Sequence, residues 1–289
     1  MPKTFVRQYY FMLSFVLILL AVGIVVSRRT LHPVAITIPP TVSPGAIKIV
    51  TLGDSQTQGY GDERVRVPEA GGYPAMMIVS VIKLRPNSIV KNLGKPGWDS
   101  TQLVNGDNTN PSELTLLAQE NPPPQIICIW IGLNDLIFHN ATEEEQSQQQ
   151  TFTANIDTIL HTLQGRGATL AIALLDDPAK RATIQDGSYM LAAQVAWYKD
   201  SSTLEPDLAR LSRRAIAYNK VIAEKAAQYG AILVDLSQPG LFDNPGMMSN
   251  DGLHPSSVGY AKISEIWLTA LLPYLGDMHT LTLTLTPTQ

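Results

Sequence analysis

Ser55 stands in the run Gly53-Asp54-Ser55-Gln56-Thr57-Gln58-Gly59, directly after a short β-branched stretch. A serine hydroxyl is a poor nucleophile at neutral pH and needs a base beside it. Histidine suits that task because its imidazole titrates near neutrality. The chain has five histidines. His32 lies in a proline-rich stretch, His279 in the C-terminal tail and His161 within a helical pattern. His139 follows a predicted strand closely enough to stay in reserve. His254 alone has a carboxylate three residues upstream, in Asp251-Gly252-Leu253-His254-Pro255. In a tight turn that spacing lets Asp251 accept the Nδ1 proton and leaves Nε2 facing a serine. Ser55, Asp251 and His254 are therefore candidates for nucleophilic attack on a carbonyl.

Such an attack places negative charge on the carbonyl oxygen, which needs hydrogen-bond donors. The backbone N–H groups of Ser55 and Gly97 can supply two, since glycine lets the chain approach a substrate closely. The side-chain amide of Asn134 can supply a third. A Gly-x-Ser-x-Gly elbow is absent, which counts against an ordinary α/β-hydrolase. Asp54 and Asp135 read as loop braces rather than reacting groups. Asp176-Asp177, with no histidine nearby, reads as a solvated loop start rather than a metal site. Asn140-Ala141-Thr142 matches a glycosylation triplet, a pattern common by chance.

The elements that must position these groups alternate along the chain. Strands are predicted over 47–52, 88–93, 125–131, 169–175 and 231–236. Helices are predicted over 73–84, 112–120, 152–163, 208–228 and 256–275. The run 125–131 is apolar throughout, as expected of a strand buried on both faces. Five strands alternating with helices predict a parallel sheet covered on both sides. Ligands bind beyond the C-terminal strand ends of such sheets, and all four polar clusters fall there. The segment 176–206 is long for a connection in a compact domain. Its Tyr189, Met190, Val195, Trp197 and Tyr198 suit either a flap over the site or an extra helix on the domain edge.

The four blocks together resemble the SGNH hydrolases, also called GDSL-type lipases and esterases. Gly-Asp-Ser55 matches the first block, Gly97 the oxyanion glycine of the second, and Asn134 of Gly-Leu-Asn-Asp the third. Asp251-Gly-Leu-His254-Pro matches the last. The likeness spans about residues 47–275, with Gln56 departing from the usual leucine after the serine. It implies a flavodoxin-like three-layer αβα sandwich, ester hydrolysis, and no metal or organic cofactor.

Tyr9–Ser27 carries no charge over 19 residues, about the length that crosses a bilayer's hydrocarbon core. A transmembrane anchor over residues 1–29 is expected, with a cleaved signal peptide as the rival. The amino terminus adds positive charge to the shorter flank, which places it in the cytoplasm and the large domain outside. If the segment is cleaved, the protein is secreted. Residues 30–46 hold four prolines and read as a stiff linker. Residues 276–289 alternate Thr and Leu and form either an edge strand or a loose tail. The net charge is −4, and beyond residue 29 there are 17 basic against 25 acidic residues. No basic stripe suggests a nucleic-acid partner. The single cysteine, Cys128, lies in an apolar run and reads as a buried thiol.

Ester hydrolysis through an acyl-enzyme on Ser55 is the expected activity, on a small-molecule, lipid or carbohydrate ester. An extracytoplasmic acyltransferase or a sugar deacetylase would use the same site. A non-catalytic binding module is disfavoured because every catalytic position is filled.

Overall fold

The computed structural model describes residues 45–137, 145–186 and 207–275. Within these, five strands form one wholly parallel sheet in the order β2-β1-β3-β4-β5. The strands are β1 (Lys48–Gly53), β2 (Ile89–Asn92), β3 (Ile126–Trp130), β4 (Thr169–Ala173) and β5 (Ile232–Val234). This is the flavodoxin-like order, in which the chain changes direction between β1 and β3. Every residue of β1 and β3 is buried; β3 is a continuous apolar run, while β1 also buries Lys48 and Thr51. The edge strand β2 alternates between exposed and half-buried positions. Trp130, at the end of β3, pairs in register with Gly53 at the end of β1. The two ends therefore deliver Ser55 and the Gly132–Asn134 turn to one edge of the sheet.

Helices cover both faces. On one, α2 (Gly72–Leu84) packs against α9 (Ser257–Leu275), with Tyr73 stacked on Trp267 at 5.4 Å. On the other, α6 (Glu145–Gln164) packs against α8 (Leu208–Tyr229), with Phe152 stacked on Tyr218 at 4.1 Å. These aromatic pairs join helices distant in sequence and add to ordinary area burial. The buried side chains form one core through both layers.

The predicted long helices and all five strands are present, with ends shifted by a residue or two for most elements. The helix expected from 152 begins at Glu145. The helix expected over 112–120 is α4 (Glu113–Ala118). Four short helices were not anticipated: α1 (Ser55–Gln58), α3 (Ser100–Asn105), α5 (Leu133–Ile137) and α7 (Ala182–Gln185). Each is too short to show hydrophobic periodicity. Local caps hold two of them: Asp54 accepts from the Gln56 N–H, and Asp99 with Gln102 forms a capping box on α3.

Among the described residues no helix is long and apolar enough to cross a membrane. The apolar segment Tyr9–Ser27, the tail 276–289, His139, Asn140 and residues 187–206 of the expected flap lie outside the described residues.

Candidate active site

Ser55 opens α1, immediately beyond β1. Its neighbour Asp54 is buried and caps the helix by accepting the Gln56 N–H at 2.9 Å. A second buried carboxyl, Glu113, accepts the Gly53 N–H at 2.7 Å. Asn92, at the end of β2, donates to the carbonyls of Thr57 and Gln58 at 2.9 and 3.0 Å. The nucleophile turn is thus held by β1, β2 and α4 together.

His254 comes from the loop after β5, 199 residues away in sequence, and places Nε2 2.8 Å from Ser55 Oγ. Its Nδ1 lies 2.7 Å from Asp251 Oδ2. An ionised carboxylate only accepts, so Nδ1 carries the proton and Nε2 is left to accept from the serine hydroxyl. The other oxygen of Asp251 accepts from the N–H groups of Leu253 and His254 and from the Ser249 hydroxyl. Burial raises the Asp251 carboxyl's pKa, but the imidazole and these N–H groups outweigh it and hold the carboxyl well below its usual range. Ser55 and His254 are nearly covered, at 8% and 9% exposure. The ring of Tyr60 sits against the imidazole at 4.9 Å between centroids.

Asn134 is tied to the loop that carries Gly97, through the residue after it. Asn134, at 6% exposure, donates one amide hydrogen to the Trp98 carbonyl at 2.7 Å. An amide has two hydrogens, so a second remains. Gly97 has φ +75, a left-handed conformation that other residues rarely adopt. The amides on either side of it, Lys95 and Trp98, are taken up by the carbonyls of Gly53 and Lys95. Ser55 is the first residue of its helix, where N–H groups have no intrahelical acceptor.

Asp54 and Asp135 act as the braces expected. Asp135 accepts from the N–H and hydroxyl of Ser100. Burial, only partly offset by these hydrogen bonds, pushes both carboxyls up to about 7. The reading of Asp176 as a solvated loop residue is corrected. Asp176 is buried and ion-paired to the fully buried Arg181 at 2.7 Å. An arginine five residues on, across a single short 3-10 turn (Pro178–Lys180), gives no sequence signal. Ser249, Arg181 and Thr183 all touch the His254 turn, and no local pattern marks them. His161 lies in α6 as expected, against Tyr229. Cys128 is fully buried in β3, and burial pushes its thiol well up. Among the described residues no group of three or more His, Cys, Asp or Glu is arranged to hold a metal ion.

The arrangement couples a hydroxyl, an imidazole and a carboxylate in one hydrogen-bonded chain. No curated protein matches the chain. Among solved structures, an acetylxylan esterase from Geobacillus stearothermophilus is 16% identical, with a TM-score of 0.52 over 82% of this chain and 99% of its own. The lipase/acylhydrolase of Enterococcus faecalis is 23% identical, with a TM-score of 0.51 over 78% and 95%. An α/β hydrolase enzyme from a Lake Arreo metagenome is 18% identical, with a TM-score of 0.53 over 78% and 95%. These likenesses establish the fold. The model of the GDSL-like lipase/acylhydrolase family matches residues 51–262, most of the chain and all four motif blocks. The chain belongs to that family and is a hydrolase acting on ester bonds.

Proposed function

We propose that the protein is a serine esterase working through an acyl-enzyme on Ser55. The observation that carries this is the unbroken line Ser55 Oγ, His254 Nε2, His254 Nδ1, Asp251 Oδ2, with 2.8 and 2.7 Å links. Ser55 Oγ attacks the ester carbonyl carbon while His254 takes its proton. The oxyanion accepts from Ser55 N–H, Gly97 N–H and the free amide hydrogen of Asn134. Collapse of the tetrahedral adduct expels the alcohol, which receives the proton from His254. Water then attacks the acyl carbon as His254 takes its proton, and collapse of this second adduct breaks the bond to Ser55 Oγ, which takes the proton back from His254 as the acid leaves. Asp251 stays ionised throughout and orients the ring.

Transfer of the acyl group to a sugar or lipid alcohol would use the same first half-reaction, with that alcohol in place of water. A panel of nitrophenyl esters of rising chain length, with acetylated sugars beside it, tests the reading. Turnover that disappears in Ser55→Ala, at an unchanged melting temperature, is expected. Near wild-type turnover by that variant would remove Ser55 from its role. Analysis of products with and without a sugar acceptor separates hydrolysis from transfer.

A further inference from the structure

The turn that carries Asp251 and His254 is held from both sides. The N–H groups of Leu253 and His254 each donate to Asp251 Oδ1 at 2.9 Å. A trans peptide points its carbonyl opposite to its N–H. The two carbonyls of these same peptides point away from Asp251 and meet two side chains from the segment after β4. Gly252 O accepts from the Thr183 hydroxyl at 2.8 Å. Leu253 O accepts from Arg181 Nη1. Neither peptide can rotate without losing a partner at each end.

Arg181 is built into place for this contact. It is 0% exposed. Asp176 grips its Nε at 2.8 Å and its Nη2 at 2.7 Å, which leaves Nη1 as the arm toward the turn. The guanidinium carbon lies 4.9 Å over the Phe242 ring. A buried ion pair is a poor source of stability, because desolvation offsets most of the attraction. This pair delivers a cation to a peptide carbonyl, and that polarises the peptide and strengthens the N–H it presents to Asp251. Thr183 supplies the steric half. Gly252 has φ +68, and a Cβ added there would lie 2.1 Å from Thr183 Cγ2, so the turn rests flush on that side chain.

We propose that Arg181 and Thr183 are positioning residues for the reaction: they clamp the Gly252 and Leu253 carbonyls so that Asp251 and His254 stay aligned on Ser55. This rests on the serine esterase reading above. It also gives the opening of the 176–206 segment a role as a buttress of the catalytic turn.

The test uses the full chain with four variants: Thr183→Val, Thr183→Ser, Arg181→Lys and the double variant Asp176→Leu/Arg181→Met. The double variant removes the ion pair without leaving an unpaired buried charge. Three quantities are measured: kcat and KM on a nitrophenyl ester, the rate of inactivation by a fluorophosphonate, and the melting temperature. Thr183→Val should lower kcat about tenfold and leave KM within about twofold, since only alignment is lost. Thr183→Ser, which keeps the hydroxyl, should recover most of that loss. The double variant should lose about 100-fold in kcat, as misplacement of a catalytic group does, and Arg181→Lys should fall between. Fluorophosphonate inactivation should slow in parallel. If Thr183→Val keeps wild-type kcat, or Thr183→Ser does no better than Thr183→Val, the clamp is overturned. If the double variant fails to fold, the Thr183 pair decides alone. A wild-type chain inert to the fluorophosphonate overturns the esterase reading and the clamp with it, whereas a reactive wild type with unaffected variants overturns the clamp only.

Discussion

Asn134 is the residue whose chemistry is most sharply testable. One of its amide hydrogens is committed to the Trp98 carbonyl, and the proposed role uses the other. Asn134→Ala removes a donor to a charge that develops only in the transition state. It should lower kcat by about 10²–10³ and leave KM nearly unchanged. Asn134→Asp is almost isosteric yet should be worse. It sets an ionised acceptor against both the Trp98 carbonyl and the developing oxyanion. A purely structural role predicts the reverse order, with the shape-conserving change tolerated better. Kinetics of the two variants, with melts to confirm folding, decide between these outcomes. An Asp variant more active than the Ala variant at equal stability would take Asn134 out of the oxyanion site.

At the scale of elements, two pH dependences follow from how loops and helices hold their carboxyls. The turn after β5 keeps Asp251 far below the usual carboxylate range, so Asp251 does not titrate in mild acid. Loss of activity on mild acidification therefore does not come from protonation of Asp251. The logarithm of kcat/KM should fall with a slope of about one per pH unit, and a slope near two would mean that a second group controls the rate. The helix braces behave oppositely. Asp54 caps α1, and Asp135 ties α5 to Ser100 of α3. Burial raises both from the ordinary aspartate value of 3.8 to about 7. Between those limits the folded chain binds more protons than the unfolded chain. Stability from these groups is therefore fullest below about pH 4 and declines as pH rises toward 7. The melting temperature should fall from about pH 5 to 7, and Asp135→Asn should flatten part of that slope. A slope unchanged in Asp135→Asn would show that Asp135 does not carry it.

For the molecule as a whole, the N-terminal segment bears on where the hydrolase domain sits. We propose that Tyr9–Ser27 anchors it to a membrane and that residues 30–46 hold it clear of the surface. The domain beyond residue 29 carries 17 basic and 25 acidic residues, so its charge does not draw it to anionic headgroups. Full-length protein should stay with membranes through a carbonate wash, while residues 45–289 alone should remain in the supernatant. A freely soluble product whose mature N-terminus lies near residue 28 would identify a cleaved signal instead.

Sequence by itself determined the sheet, the parallel alternation and the four clusters at its C-terminal edge. Each is written in local pattern: the apolar run of β3, the long helical stretches, and Asp251 spaced three residues before His254. The pairing of Ser55 with His254 was legible only because few histidines compete for the role. Its 2.8 Å geometry is a product of the fold. The second layer of the site left no local trace. Glu113 beneath Gly53, Asn92 across to α1, and Arg181 and Thr183 on the catalytic turn all act over 34 to 72 residues of sequence. An isolated Asp176 looks like a solvated loop residue until packing buries it against Arg181. Backbone carbonyls that must find a donor are identical at every position, so which side chain meets them is decided only when the strands and loops are brought together.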